Sequence, residues 1–431
     1  MRGVGQSPTV LKLGCDILAS LANRANVPRR TFARKRKKKR SLSKIMLIVA
    51  VVLVVFALLQ NWVVELMGVE SSTELQMVAT GVELEYNFDM RASFHSYGNR
   101  NFFFVTRDGI QNITDTGAIR WQHGFNLNQP ILVGNGGIVA VSEPNAQTVY
   151  VFNADGFMYS ADLPHPVLYY TVNRRGYLSV IMRTAIGYEI QVFNPSNPTN
   201  PAFGYRAPIN DPSVFPWSVD VSDDGTYIAV ALIDVETLIQ SRLLFSYVRS
   251  VDSRGIPDGL IASYTFPNNE FILRTRFVDA DTAIVLTDRR ILGYSAGRNT
   301  QNYNWSMNLH NRLEKFYIGT NIFAYVTGDP VLNNPFAQEP NILNIHDFDG
   351  NLIGSHKLSG RATHLSISND TILVGVARNF YAITSQGTEI WRYTAIQDVA
   401  DIMLLDARDT ILLAGYTQAA VMQLAPVPTA E

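Results

Sequence analysis

One pattern with catalytic potential is a Gly-x-Ser-x-Gly string that runs from Gly293 to Gly297, with Ser295 at its centre. In serine hydrolases such a string forms a strained turn between a strand and a helix, and it exposes the serine as a nucleophile. Here the five residues that follow, Arg-Asn-Thr-Gln-Asn, start no amphipathic helix. Ala296 and Gly297 instead match a turn that recurs along the chain. We therefore predict a hairpin at this position and no nucleophile.

The histidines and carboxylates could bind a metal ion only if their spacing brought several of them together. None of the histidines has the His-x-His or His-Glu-x-x-His spacing. His346 and His356 straddle a predicted hairpin turn and could face each other, but zinc would need further ligands. Asp347–Asn351 resembles the start of a calcium loop, although Leu358 stands where that loop needs glutamate. We predict a hairpin turn here and neither a metal nor a cofactor. The seven histidines are His95, His123, His165, His310, His346, His356 and His364.

The glycine and cysteine content excludes two other kinds of site. Gly134–Gly137 is glycine-rich, but neither a lysine nor a helix follows, so it is a tight turn rather than a phosphate-binding loop. Cys15 is the only cysteine of the chain. The β-rich part can therefore form no internal disulfide and no thiolate metal site, and its stability must come from packing.

The elements that would position any site are short strands. Beyond residue 70, runs of four to seven residues rich in Val, Ile, Tyr, Phe and Thr alternate with Gly, Asn, Asp and Pro. One turn recurs at positions 117, 156, 195, 255, 297, 350 and 387, so its spacings are 39, 39, 60, 42, 53 and 37. A four-stranded propeller blade needs about 40–50 residues. The two longer intervals predict insertions at about 232–262 and 328–340.

The ends of this region predict how the ring closes. Asp401–Leu424 has room for only three strands, and Val82–Phe88 is a strand without a partner. If the early strand completes the last blade, no sheet edge is left free. The sequence thus predicts an all-β fold, a β-propeller over residues 75–424. Eight blades fit best, and seven are the alternative.

The sequence predicts a membrane span before the propeller. Ile45–Leu59 is an uninterrupted apolar run, and Trp62–Val64 extends the segment to twenty residues, about 30 Å of helix. We predict an uncleaved signal-anchor helix over 45–67, with residues 1–44 as a basic cytoplasmic tail and the propeller outside, at the plasma membrane. A basic flank orients the span, and we expect it to contact anionic lipid rather than nucleic acid. The flank comprises Arg34, Lys35, Arg36, Lys37, Lys38, Lys39, Arg40 and Lys44.

The charge is divided sharply between the two sides of this span. Residues 1–44 carry thirteen bases and one acid, a net of +12. Subtraction from the totals of 36 and 37 leaves 23 bases and 36 acids in residues 45–431, a net of −13. Such a surface favours basic or cation-bridged partners through attraction that salt screens.

Two repeat units carry a resemblance to a known class of protein. Thr114–Trp121 and Thr384–Trp391 resemble the repeats of quinoprotein-type (PQQ-like) β-propellers. A basic tail, one span and such a domain together resemble an uncharacterised bacterial membrane family, a domain of unknown function. The resemblance implies the propeller fold and brings no activity or functional residues. Quinone-dependent dehydrogenases share the blade type, but they are longer and many carry paired cysteines, so we predict that this chain is not an enzyme.

We therefore predict a membrane-anchored scaffold that binds an unknown protein or an envelope polymer. The alternative is a small-ligand sensor or a quinone-type envelope enzyme that uses the central channel. That alternative requires a polar cluster where the inner strands converge, whereas a channel lined by apolar or small residues would exclude it.

Overall fold

The computed structural model describes residues 75–90, 92–199, 205–236, 239–248, 259–267, 270–297, 302–328, 341–406 and 409–426. In these ranges, 32 strands form eight four-stranded antiparallel sheets, and Phe88–Met90 is a short 3-10 turn. No helix within them is long and apolar enough to cross a membrane. The predicted tail 1–44, with its basic flank, and the predicted span 45–67 lie outside the described residues.

Each sheet is one blade, and its strands follow one another from the centre of the ring outward. The inner strands are β2 (Ser93–Gly98), β6 (Ile131–Asn135), β10 (Val167–Val172), β14 (Val214–Val221), β18 (Ile272–Phe277), β22 (Arg312–Ile318), β26 (Ala362–Ser368) and β30 (Asp401–Leu404). The second strands are β3 (Asn101–Thr106), β7 (Ile138–Ser142), β11 (Leu178–Arg183), β15 (Tyr227–Asp234), β19 (Thr282–Thr287), β23 (Ile322–Gly328), β27 (Thr371–Val376) and β31 (Thr410–Ala414). We number the blades 1 to 8 in this order.

The third and fourth strands complete each blade. The third strands are β4 (Gly109–Thr114), β8 (Thr148–Asn153), β12 (Tyr188–Phe193), β16 (Gln240–Tyr247), β20 (Arg290–Ser295), β24 (Asn341–Asp347), β28 (Asn379–Thr384) and β32 (Gln418–Pro426). The outer strands are β5 (Ile119–Gly124), β9 (Gly156–Asp162), β13 (Tyr205–Ile209), β17 (Leu260–Thr265), β21 (Trp305–Asn308), β25 (Leu352–Leu358), β29 (Glu389–Thr394) and β1 (Leu75–Glu85).

The first strand of the chain closes the ring, as predicted. β1 pairs antiparallel with β32, from Leu75 opposite Pro426 to Glu85 opposite Gln418, and it is the outer strand of blade 8. The inner strand β30 of that blade contacts β2 of blade 1. Eight blades are thus confirmed, and the alternative of seven is wrong. The closing strand begins earlier than predicted and ends before Phe88, which lies in the 3-10 turn.

The recurrent turn joins the third strand to the fourth. Of the seven predicted positions, six fall between these two strands, with position 255 outside the described residues, and Gly156 is the first residue of the fourth strand of blade 2. Gly117 and Gly387 have φ near +80°, at 81° and 86°, and each donates its N–H to a threonine three residues earlier. The register shifts beside both turns, as in hairpins that end in a glycine bulge. Glycine is needed here because other residues rarely adopt this φ.

The predicted insertion at 232–262 is wrong over much of its length. β15 continues to Asp234, and β16 fills Gln240–Tyr247. The interval is long in part because β14, β15 and β16 each have eight residues. Residues 249–258 lie outside the described ranges, as do residues 329–340 of the second predicted insertion.

The core lies between neighbouring blades. Every residue of the second strands β23 and β27 is buried, whereas the outer strand β5 is mostly exposed or half-buried. Trp121 of blade 1 donates from Nε1 to the carbonyl of Ala154 in the recurrent turn of blade 2, at 2.9 Å. Trp305 of blade 5 does the same to Phe348 of blade 6, at 3.0 Å. In blades 1 and 5, an outer-strand tryptophan therefore ties one blade to the next.

Candidate functional site

The ring offers two regions that differ from ordinary propeller surface. All inner strands begin at one face, which we call the upper face, and end at the opposite one, the lower face. The first region is the channel between the inner strands. The second is the apolar surface around its upper mouth.

A repeated backbone irregularity organises the channel wall. In β10, β14, β18, β22 and β26 the register with the second strand shifts around a single residue near the start of the inner strand. A bulge of this kind re-aims the side chains that follow it. The bulge residues are Leu168, Trp217, Leu273, Glu314 and Thr363.

The bulges define equivalent positions on five consecutive blades. The first residues after them are Tyr169, Ser218, Arg274, Lys315 and His364, and the third residues are Thr171, Asp220, Arg276, Tyr317 and Ser366. Every one of these ten residues is polar. The polar cluster that the ligand-binding alternative requires is therefore present.

A cavity of about 400 Å³ is lined by five of these ten residues: Arg276, Lys315, Tyr317, His364 and Ser366. Its wall takes residues from seven blades, including His95 of blade 1, Arg276 of blade 5 and Lys315 of blade 6. It extends to the lower mouth, where Arg174 of blade 3 donates to the carbonyls of Gly319 and Thr320 of blade 6, at 3.2 and 3.3 Å. This arginine bridges the lower mouth and limits what can pass.

Arg276 of blade 5 and Lys315 of blade 6 line the cavity from adjacent blades, and Arg274 precedes Arg276 by two residues on the same strand. Arg274, Arg276 and Lys315, which we call the basic cluster, form no hydrogen bond or ion pair with any other described residue. Burial, together with the like charge of Arg276, lowers the pKa of Arg274. A cation in this state is stabilised by an anion nearby.

The nearest carboxylate is Asp220, and its hydrogen bonds go to the backbone. Its Oδ2 accepts from the N–H of Phe277 at 2.7 Å, and Ser218 Oγ accepts from the N–H of Thr275 at 3.1 Å. These two bonds join the inner strands of blades 4 and 5. Burial raises the pKa of Asp220 to about 6, although Arg276 and the backbone N–H groups oppose that rise.

The remaining acids stand apart from the basic cluster. Asp223 lies 3.9 Å from Arg174 at the lower mouth, and burial raises its pKa. Burial likewise raises the pKa of Asp401 on blade 8, where His364 partly opposes it. Carboxylates with raised pKa values hold their negative charge less firmly, so they neutralise the basic cluster only in part.

His95 faces the cluster from the opposite side of the ring. Its ring packs on Gly134, where a Cβ would lie 2.4 Å from the imidazole, and Nε2 is 3.0 Å from the carbonyl of Gly136. Burial lowers the pKa of His95, and the charge of Arg276 acts in the same direction although the two residues belong to blades 1 and 5. At neutral pH this histidine is uncharged, so the cluster supplies the positive charge.

Apolar side chains dominate the exposed surface around the upper mouth. Among the described residues, ten of eighteen exposed large apolar side chains lie at the upper face, and six of them fall on blades 3, 4 and 5. Trp217 is 56 % exposed and Leu273 44 % exposed, and both are bulge residues of adjoining inner strands. We call this set the apolar arc. Its members are Leu168, Ile186, Trp217, Val235, Ile239 and Leu273.

The motifs singled out by sequence lie elsewhere. Ser295 ends β20, where its Oγ accepts from Asn304 Nδ2 at 2.7 Å, so the predicted hairpin is confirmed. Asp347 Oδ1 accepts from the N–H of Asn351 at 2.8 Å, which confirms the predicted hairpin turn. Gly136, with φ of 60°, forms the predicted tight turn between β6 and β7.

One pairing prediction is wrong. His346 and His356 do not face each other, because the register sets His346 opposite Leu352 and His356 opposite Leu343. The His346 ring stacks on Phe323 and Tyr325 instead, and His356 Nδ1 is 3.0 Å from the carbonyl of Gly387 in the next blade. In the part of the chain that the structure describes, no three His, Cys, Asp or Glu residues group to hold a metal ion.

Sequence reasoning missed the residues of both regions. Arg274 and Arg276 stand two apart in a short strand, a spacing that puts both on one side. That signal shows a common side but not whether it faces solvent or the channel. The apolar arc left no readable signal, since Trp217 lies in an apolar run that is typical of a buried strand.

The comparisons agree with the propeller fold. Sqt1 of Saccharomyces cerevisiae is 8 % identical over 80 % of this chain and 98 % of its own, with a TM-score of 0.53. BamB from Moraxella catarrhalis is 11 % identical over 80 % of this chain and 99 % of its own, with a TM-score of 0.45. No curated protein matches the chain. The model of one family, described as a family of unknown function, matches residues 76–424, so the chain belongs to DUF5711.

Proposed function

We propose that this protein is a membrane-anchored, extracytoplasmic scaffold that binds another protein through the apolar arc and catalyses no reaction. The observation that carries the proposal is the arc itself. Clustered apolar side chains that remain exposed next to one another mark interaction sites on soluble domains, whereas isolated ones need no explanation.

The composition of the arc suits a protein interface. Trp217 supplies a large aromatic surface at its centre, and tryptophan is enriched among the residues that dominate binding energy. Ile186 is 64 % exposed and Ile239 53 % exposed, and both lie on turns between the second and third strands, beside the mouth. A partner that covers these side chains would gain about 25 cal/mol for each Å² of apolar surface removed from water.

Charge narrows the class of partner. Residues 45–431 carry a net charge of −13, from 23 bases and 36 acids. Exposed Asp211 and Glu236 lie on the loops beside the arc. We therefore propose a protein whose docking surface is basic around an apolar centre, since complementary charge speeds encounter and fixes orientation.

The proposal includes the predicted membrane anchor. The apolar run over 45–67 would hold the propeller at the plasma membrane, with its basic flank against anionic lipid in the cytoplasm. Only a few residues separate this run from β1, so the propeller would stay close to the membrane surface. A tethered scaffold meets its membrane-bound partners at a raised effective concentration.

The arc can be tested by site-specific photo-crosslinking in cells that express the full chain. A photoreactive residue at Ile186 or Ile239 should yield a discrete protein adduct that Trp217→Ser removes. Leu352 is the matched control, because it is 59 % exposed but lies on an outer strand away from the arc. The same adduct from Leu352, or adducts that Trp217→Ser leaves unchanged, would contradict the assignment.

The topology can be tested with single cysteines, because Cys15 is the only native one. In intact cells, a membrane-impermeant maleimide should label Leu352→Cys in a Cys15→Ser background and should leave Cys15 of the native chain unlabelled. Permeabilised cells provide the positive control for Cys15. Labelling of Cys15 alone in intact cells would reverse the proposed orientation.

The polar channel favours the small-ligand alternative as a second candidate function. Its polar positions recur on five blades, and those on blades 5, 6 and 7 line a cavity, as a ligand site requires.

A further inference from the structure

We propose that the basic cluster in the central channel binds a small oxyanion that carries two or more negative charges, such as a phosphate group or a compact polycarboxylate. The site is independent of the apolar arc, since it lies on the residues that follow the bulges rather than on the bulges.

The first argument is positive charge that the neighbouring acids offset only in part. Arg276 and Lys315 line the cavity from adjacent blades, with Arg274 two residues before Arg276, and none of the three has a hydrogen bond or an ion pair to any described residue. Like charges in a confined lumen repel one another, and a bound anion converts that repulsion into attraction. Two or more charges on the ligand are needed to offset three cations.

The second argument concerns the acids that face the same lumen. Asp220 directs Oδ2 at the N–H of Phe277, Asp223 pairs with Arg174 at the lower mouth, and Asp401 lies on blade 8. His95 and His364 also line the cavity, as do Tyr97 and Tyr317. None of the three acids comes within ion-pair distance of the basic cluster, so the cluster keeps its donors for a ligand.

The third argument is the donor set. An arginine fork presents parallel N–H groups that match two oxygens of phosphate or carboxylate. Tyr317 lines the same cavity, and burial raises its pKa, so that its hydroxyl remains a protonated donor. Arginine forks, an ammonium and a phenol hydroxyl together form a site for oxygen anions and offer a cation little.

The fourth argument is size. The cavity of about 400 Å³ accommodates a small molecule, and Arg174 spans the lower mouth between blades 3 and 6. A polymer that threads the ring would have to displace that arginine. The geometry therefore selects compact anions.

The test is isothermal titration of the full chain, purified from membranes in detergent, with inorganic phosphate, citrate or acetate at matched ionic strength in chloride. We expect phosphate or citrate to bind and acetate not to bind. Binding of phosphate alone would point to a tetrahedral anion, and binding of citrate alone to a polycarboxylate. No response to either, or an equal response to acetate, would overturn the proposal.

Substitutions in the basic cluster test whether the anion binds there. Arg276→Gln should weaken the affinity at least tenfold, and Arg276→Lys, which keeps the charge but loses the fork, should fall between this variant and the native chain. Arg392→Gln is the matched control, since Arg392 is exposed on an outer strand and pairs with Glu389. If circular dichroism shows that Arg276→Gln is unfolded, Lys315→Gln replaces it. Native affinity in a folded variant of either residue would refute the site.

Discussion

The apolar arc and the basic cluster share the inner strand β18, but their side chains lie in different surroundings. In β18, the bulge residue Leu273 is exposed at the upper mouth, whereas Arg276 lines the cavity, and neither Arg274 nor Arg276 forms an ion pair with a described residue. One extra residue thus lets a single strand serve two environments. The channel is bound into the inter-blade hydrogen bonds, while the arc lies outside them, so stability and recognition should respond to different substitutions.

The largest expected effect is a change of stability with pH, which comes from Asp220 in the channel. The pKa of Asp220 is about 6 in the folded protein, against 3.8 for the ordinary side chain. The folded state then binds the proton more tightly than the unfolded state, so stability falls as pH rises from about 4 to about 6. Relative to Asp220→Asn, the native chain should lose about 2–3 kcal/mol between pH 4 and pH 7. Urea unfolding at each pH measures this, and parallel curves for the two chains would contradict it.

A second effect concerns the wall opposite the basic cluster. Gly134→Ala would place a Cβ 2.4 Å from the His95 ring, so the ring must move or the strand must shift. We expect a loss of about 2 kcal/mol in the free energy of unfolding. Gly124→Ala is the matched control, because its nearest neighbour lies 3.9 Å away. Equal stability of the two variants would show that the channel wall is not tightly packed.

A smaller effect tests the bond between blades 4 and 5. Ser218→Ala removes the acceptor of the Thr275 N–H inside the ring. A buried donor without a partner costs about 1–2 kcal/mol, which chemical unfolding can detect. Ser213→Ala serves as the control, since its hydroxyl bonds to exposed Asp211 in a surface loop. A larger loss from Ser213→Ala than from Ser218→Ala would reverse the comparison.

The smallest effect on stability belongs to the arc. Trp217 is more than half exposed, so Trp217→Ser should change the free energy of unfolding by no more than about 0.5 kcal/mol. The same variant should abolish the partner adduct in the crosslinking experiment. A large loss of stability would mean that Trp217 supports the fold and would remove the distinction between the two regions.

The sequence was sufficient for the ring but not for its interior. The recurrent turn could be predicted because Gly117 and Gly387 must adopt a backbone conformation that few residues tolerate. The closing strand could be predicted because an unpaired strand and a three-stranded unit stand at opposite ends of the domain. The pairing of His346 with His356 failed because the turn between the two strands is tight, which sets His346 opposite Leu352 and His356 opposite Leu343.

The orientation of the inner strands was beyond sequence reasoning for a physical reason. Arg274 and Arg276 alternate with buried residues as they would in a strand with one face in water. Whether that water is bulk solvent or a lumen depends on the other seven blades. The exposure of Trp217 could not be predicted either, because only the bulge at its position turns this side chain out of a strand that is otherwise largely buried.

The pairing of β1 with β32 has a consequence for how the protein is made. Among the described strands β1 is the first and β32 the last, so blade 8 cannot assemble until residues near 426 have been synthesised. Joining strands so far apart in the chain carries a loop-closure cost and slows folding. Until then β1 presents an unsatisfied edge that is available to pair with a strand of another chain. Synthesis of β32 is therefore required before the ring can close.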